Sequence, residues 1–519
     1  MSYQSENTKT YFYIKMLIRL TVTFLWKSTL VFLLSGFLLL LKVIIPPFNF
    51  PRTIPTVPFY VIFLPSIFDM DQVDMFNTYL REPLEKYGAV KMFFGSRWNI
   101  LVSRPEYLAQ IFKDETTFAK SGNQKKIPYS VIAAYTGDNI ISAHGKVWKT
   151  YRHIMSDGLQ NFNGQPFEKN AKRFCKLIQK RLKEKEMGQE EEKSSLNNNY
   201  LPLLIQRLAL DNISQVVLGF DFGTLEDKYN PLHQHLIRIK KQIFHPLFLT
   251  FPFFDLLHLP QRQMAFEDVK SFRKVLVERV RKEMIDNYNF EQTNFVVNDL
   301  IKAYNNDSID YQQLTDNIVI LLVAGHENPQ LLITTCLYLL SKFYDTWQIL
   351  IWNEIKDIEC VNKLKEAPLL SAFVYEAVRM YPPLNTIINR KTIQKCRLGE
   401  NIIIPKDTYV GYNNFGATHS SKNWGPTADL FDPLRWGGTI EEINKEWKQR
   451  KNDCALSSFH GGRRACLGEK LALIEVKVTI REILKRYQIK LAKDWNEKMT
   501  PGGPLCPANL KLEFVEREK

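Results

Sequence analysis

Ten residues near the C-terminus, FHGGRRACLG at 459–468, place a cysteine in a glycine-rich loop just ahead of an apolar stretch, EKLALIEVKVTI, with the pattern of a helix. Backbone N–H groups and the positive end of the helix dipole favour thiolate there, so the spacing predicts a lowered pKa for Cys466 and a sulfur able to ligate a metal. A second candidate lies at 321–332, LLVAGHENPQLL, where Asn328 and Pro329 interrupt an apolar helix. Proline lacks an N–H, so the Gly325 carbonyl is expected to lose its helical partner and the turn to open. A third is Glu376 and Arg379 in YEAVRM, three apart on one helix, which read alone are a solvated ion pair. Trp148 and Arg152 in GKVWKTYR, four apart, share a helix face.

The elements that must position these groups are mainly helical. Ala89–Phe94 and 98–103 flank a Gly95-Ser96-Arg97 turn, and Pro105 suits the first position of a helix. Residues Phe266, Val269, Phe272, Leu276, Val280 and Met284 mark one face of an amphipathic helix over 265–285. Residues 402–404 and 408–412 around Pro405-Lys406-Asp407 predict a second hairpin. The run KEKEMGQEEEKSSLNNN at 183–199 is too polar to bury itself and predicts a surface loop. PLFLTFPFFDLLHLP at 246–260 is apolar without period, which suits buried packing or a loop dipping into a membrane.

The chain is long enough for a large core, with 519 residues, 45% of them hydrophobic. Its excess of 69 basic over 55 acidic side chains favours a membrane surface or an acidic partner; no basic block carries interleaved aromatics, so nucleic acid is not indicated. Seven scattered cysteines without a C-x-x-C pair fit a reduced domain. Residues 28–45, STLVFLLSGFLLLLKVII, extended upstream to Leu20, are apolar enough to span a bilayer, and the following PPFNFPRTIPTVP is no cleavage site. The expected organisation is an arm at 1–19, a transmembrane anchor at 20–45, a proline-rich hinge at 46–55 and one catalytic domain at 56–519. Lys9, Lys15 and Arg19 before the span balance Lys42 and Arg52 after it, so orientation is not set by charge.

Taken together, F-x-x-G-x-R-x-C-x-G with Phe459, Gly462, Arg464, Cys466 and Gly468 in place resembles the haem-binding loop of the cytochrome P-450 family. Glu376 and Arg379, completed by Arg435 in FDPLRW, resemble the family's buried Glu-x-x-Arg network, with Leu434 and Trp436 departing from the usual Glu and Phe. The resemblance implies the cytochrome P-450 fold, mainly α with small β-sheets, preceded by a single N-terminal anchor helix. It implies haem b with Cys466 as axial ligand of the iron, propionates met by Trp148, Arg152, Arg390 and Arg464, and Ala324, Gly325, Glu327 and Asn328 on the oxygen side. There Asn328 stands where the family usually has threonine, and its amide is expected to hold a distal oxygen or water with the freed Gly325 carbonyl.

Stretches such as KYGAVKMFFGSRWNILVSR and RIKKQIFHP are further similar to the fungal dityrosine-forming members of that family. This implies a cytosol-facing enzyme on the endoplasmic reticulum membrane that couples two N-formyl-L-tyrosines through their rings, for a spore or cell wall. It would use O2 and electrons from NADPH-cytochrome P-450 reductase, since the chain has no G-x-G-x-x-G turn of its own. Thiolate ligation favours O–O cleavage and so an oxidant able to take a phenolic hydrogen atom. A generic membrane-bound monooxygenase acting on a lipid or other apolar molecule shares the same haem motifs and is the alternative; a haem sensor without turnover is a further one. By family position, 118–139 and 385–388 face the substrate, with Lys125 and Lys126 as candidates for its carboxylate or, more simply, as solvent-facing lysines. Lys146, Lys149, Arg463 and Lys470 flank the haem segments and form a candidate basic face for the reductase.

Overall fold

The computed structural model describes residues 2–186, 200–286 and 295–518. It opens with one helix, Ser2–Ile44, so the expected arm and anchor are continuous; Lys15–Ile44 is the exposed portion long and apolar enough to cross a membrane. Residues 46–55 are less of a hinge than their prolines suggested. Ile54 is buried and packs with Phe50 against the sheet, and Thr56 bridges Lys91.

Helices dominate the rest of the chain. Pro105 takes the first position of Pro105–Lys113, and the amphipathic helix runs Pro260–Asp286 with Val269, Phe272, Leu276 and Val280 inward. Lys183 to Glu186 extend the helix Gln165–Glu186 instead of starting a loop; 187–199 lie outside the described residues.

Five strands form the main sheet. β1 (Ala89–Phe94) and β2 (Arg97–Val102) pair antiparallel from Ala89↔Val102, turning at Gly95 and Ser96, both with positive φ. β3 is Phe118–Lys120 and β4 Thr386–Thr392; β5 (Cys396–Leu398) and β6 (Ile402–Ile404) make a separate pair. β7 (Tyr409–Asn413) is central, parallel to β2 and antiparallel to β4, in the order β1-β2-β7-β4-β3. The second predicted hairpin is therefore absent. Asp407 does turn, with φ 65°, but there the Thr392 carbonyl accepts from the Asp407 N–H while its hydroxyl donates to the Pro405 carbonyl, and β6 and β7 go to different sheets. β8 (Tyr487–Leu491) and β9 (Leu512–Glu516) form the third sheet.

β4 carries a bulge between Ile388 and Arg390, which pair with Gly411 and Val410. Asn389 is the extra residue, so Ile387 and Arg390, which a regular strand would place on opposite faces, both point toward the cavity side. Gly411 permits the approach: a Cβ there would stand 2.4 Å from the Ile387 carbonyl oxygen.

The long helix Tyr311–Lys342 runs through the core, capped by an Asp310–Gln313 capping box. It continues past Pro329 without interruption, contrary to the expected break. Against it packs Tyr200–Ile213, and Gly325 allows the contact, since a Cβ would lie 2.2 Å from Ile213.

Behind these helices, Glu475 is fully buried, one oxygen accepting from Asn212 Nδ2 at 2.9 Å and the other unpartnered among the described residues. Burial pushes its carboxyl up to about 8. Because the folded pKa exceeds the unfolded one, the stability held below pH ~4.5 is lost as pH rises toward 8, in total roughly 4–5 kcal/mol. Glu475→Gln, which keeps the neutral form, should raise the thermal midpoint at pH 8 and leave it nearly unchanged at pH 5. Equal midpoints at both pH values would mean that the carboxyl titrates normally.

Candidate active site

The cysteine loop folds back on itself. Cys466 N–H donates to the Phe459 carbonyl at 2.9 Å, and positive φ at His460 and Gly462 lets the chain turn against Phe112. The helix Glu469–Leu484 starts three residues after the cysteine. Cys466 exposes its side chain to a cavity of about 250 Å³ rather than to bulk solvent. The expected lowering of its pKa does not occur. Burial pushes the thiol up to about 11, outweighing the Gly468 N–H that pulls it down. A thiolate at this position therefore depends on a coordinated metal, which deprotonates a thiol outright.

Across the cavity from the loop lies the long helix, presenting Ala324, Gly325, Asn328 and Pro329. Asn328 Nδ2 is 3.4 Å from the Ala324 carbonyl, a long and weak bond that an incoming group can replace. Glu327 is placed otherwise than expected: it does not line the cavity wall but pairs with Lys240 Nζ at 3.0 Å. His326, next to it, is fully buried with Nδ1 on the Leu322 carbonyl.

At one edge of the cavity the cations gather. Arg464 donates to Glu115 at 2.9 Å and to the Ala143 carbonyl, and its guanidinium lies 4.0 Å over the Trp148 ring. Arg152 donates to the Ala465 carbonyl at 3.1 Å. Arg390, from the bulged strand, reaches the Phe118 carbonyl. Among the described residues, Arg390 Nε and Arg464 Nη1 are buried without partners, and the buried Lys120, opposite Arg390 in β3, forms no salt bridge although the charge of Glu115 acts on it. Four cations against one glutamate call for anionic oxygens. An apolar cavity with a cysteine in its wall and cations lacking partners at its edge fits haem: Cys466 would hold the iron, and Trp148, Arg152, Arg390, Arg464 and Lys120 its two propionates. Gly462 shapes the loop without lining the cavity, whereas Gly468 and Phe459 both line it beside the cysteine.

The remaining expected group, Glu376, Arg379 and Arg435, lies behind the cysteine loop. Arg379 and Glu376 are fully buried and doubly bonded at 2.9 and 2.8 Å; Arg435 Nε adds a third bond to Glu376 at 2.8 Å. Trp436, a departure from the familiar pattern, contributes its indole N–H to Glu376 at 3.1 Å. Arg379 also donates to the carbonyls of Thr418, Ala428 and Leu430. Lys126 does not face solvent: it is buried beside Arg97 against Phe94 and Tyr409, and burial lowers its pKa to about 7. Of 118–139 only Lys120 reaches the cavity, and of 385–388 only Ile387. Ile213 and His460 also line it, unpredicted; no motif marks the first, and the second sits inside the loop pattern as a free position.

A thiol-headed slot of this kind defines a haem-thiolate oxidoreductase. The chain matches the cytochrome P450 family over residues 55–514 and belongs to it. It is 61% identical over 476 residues to Cytochrome P450-DIT2 of Saccharomyces cerevisiae, covering 91% of this chain and 95% of that protein. It is 34% identical over 471 residues to Cytochrome P450 monooxygenase xanG of Aspergillus fumigatus, covering 88% of this chain and 85% of that one. Cytokinin hydroxylase of Arabidopsis thaliana is 24% identical over 399 residues, covering 73% of this chain and 71% of that one. Membership implies O2 as oxidant and a separate electron donor.

The Asn328 side chain is expected to steer protons on the oxygen side. Asn328→Leu should keep haem content and substrate binding yet lower product per NADPH by up to roughly 10²-fold, the smaller end of a positioned proton donor's effect, with peroxide rising to match. Asn328→Thr should retain most of the activity. Unchanged coupling efficiency in the leucine variant would reduce Asn328 to packing.

Proposed function

We propose that the enzyme couples two N-formyl-L-tyrosine molecules into N,N'-bisformyl dityrosine, for fungal spore or cell wall formation. The observation that carries this reading is the 61% identity, sustained over 91% of the chain, to Cytochrome P450-DIT2, together with the stretches similar to dityrosine-forming members. Each phenol gives up its O–H hydrogen atom and the two radicals join carbon to carbon. Those two hydrogen atoms, with two electrons from NADPH and two protons, reduce one O2 to two waters.

Haem b, when bound through Cys466, supplies the O2 activation. The chain's own residues do the rest: the cationic rim holds the propionates, Asn328 steers protons, and the apolar walls at Ile140, Leu321 and Leu384 exclude water from the phenols. The catalytic domain, 56–519, faces the cytosol from the endoplasmic reticulum membrane. Support for membrane seating comes from apolar groups beside the anchor. Trp98 Nε1 donates to the Lys42 carbonyl at 3.1 Å, Phe63 stacks on Phe251, and Ile67, Phe68, Leu247, Leu256 and Leu257 are exposed together with that segment.

Reconstitution with haem, NADPH-cytochrome P-450 reductase and N-formyltyrosine tests the reading, with product mass and dityrosine fluorescence as readouts. Hydroxylated monomer alone, or no turnover, would return the protein to the generic monooxygenases. Lys146, Lys149, Arg463 and Lys470 are all exposed around the cysteine loop and form the proposed reductase face. Lys149→Glu with Lys470→Glu should raise the reductase concentration for half-maximal rate about tenfold at low salt and less at high salt, leaving substrate binding alone. An unchanged reductase dependence would remove that face.

A further inference from the structure

Lys240, on the helix Pro231–Ile243, reaches Glu327 with one of its three N–H donors. Among the described residues no second acceptor meets the ammonium. Both side chains keep about a fifth of their surface accessible, 22% and 21%. Neither side chain is part of the haem-cavity wall, but Glu327 is next to Asn328, which is. Glu327 follows Ile320 by seven residues, nearly two full turns, which brings it within about 20° of the same azimuth, and Ile320 lines the haem cavity. The pair therefore sits at the margin of the reacting space, one residue from Asn328.

A second donor waits nearby. The Tyr135 hydroxyl, on the short helix Val131–Thr136, is buried without a hydrogen-bond partner among the described residues, and the charge of Glu327 acts on it. The other groups around the ammonium do not compete as cations: burial holds His326 and His233 at about 4, so both are neutral at physiological pH. An ammonium with spare donors and a phenol with a free O–H make a receptor for two acceptor oxygens of one anion. An apolar lipid gains nothing from such a receptor, and a carboxylate does.

We propose that Lys240, positioned by Glu327, receives the α-carboxylate of an N-acylated amino acid substrate, with the Tyr135 hydroxyl as the second donor. This rests on the reading of N-formyltyrosine as substrate and names the side chains that select it. The ammonium holds the acid end at the cavity margin, which leaves the phenol ring to extend toward the cysteine side.

The test titrates the haem-loaded enzyme with N-formyl-L-tyrosine and with its methyl ester, following the substrate-induced Soret shift. The wild type should bind the acid about ten- to a hundredfold more tightly than the ester, the range of a charge-assisted bond. Lys240→Met combined with Glu327→Gln removes both charges and strands neither; it should bring acid and ester to equal affinity at normal haem content. Lys240→Arg should keep the preference, and Tyr135→Phe, which conserves volume, should lower it severalfold. An acid-to-ester ratio that stays at its wild-type value in both the double variant and Tyr135→Phe overturns the proposal. Should the wild type bind and couple the acid while that ratio persists, only this assignment falls; should it bind neither acid nor ester, the substrate reading falls as well.

Discussion

Cys466→Ser is expected to abolish oxidation chemistry while the fold persists. The serine hydroxyl fits the same loop, because the bond that shapes it, Cys466 N–H to the Phe459 carbonyl, is made by the backbone. The thermal midpoint should shift little. The variant loses the ligand itself, so the fall in activity should exceed the roughly 10–100-fold that removing an outer partner of a metal site costs. The reduced carbon monoxide complex should lose the red-shifted Soret band of thiolate ligation. Undiminished dityrosine formation by this variant would end the haem-thiolate assignment.

Arg379→Ala is expected to act through stability. The guanidinium, itself fully buried, satisfies Glu376 twice and three backbone carbonyls of the segment 418–430 at once, of which only that of Leu430 lies near the surface. Its removal strands these acceptors, and breaking a buried pair in this way costs about 3–5 kcal/mol. Arg435 is more exposed and leaves Glu376 with Arg379 and Trp436, so Arg435→Ala should cost less. Purified Arg379→Ala should carry little haem and unfold at lower denaturant than Arg435→Ala. Normal haem content with an unshifted midpoint would show that the pair contributes no more than a surface bridge.

The features legible along the chain are those it encodes locally. The cysteine loop, the first hairpin, the amphipathic helix and the membrane-length N-terminal helix depend on residues a few positions apart, and each stands where its pattern placed it. Failures came where a partner lies far away. β7 looked like the second arm of a hairpin with β6, but its neighbours are β2, some 300 residues upstream, and β4. Glu327 belonged by motif to the oxygen side, yet its partner comes from another helix, 87 positions earlier. The sign of the Cys466 shift went wrong for a related reason: the helix dipole is legible in sequence, whereas desolvation is set by everything packed around the thiol. Pro329 was given more power than it has, since the flanking turns and their packing hold the long helix through it.

The bulge in β4 bears on how this protein can vary. Strand residues alternate sides, and the unpaired Asn389 takes one residue out of that alternation, so Ile387 and Arg390 share a face although they are three apart. A substitution at Asn389 changes one side chain at the sheet; its deletion would straighten the strand and leave Ile387 and Arg390 two apart, still on one face and opposite Tyr412 and Val410. The bulge is therefore a length buffer: this segment can lose one residue between Ile387, which lines the cavity, and Arg390 and still present both side chains on the same side of the sheet.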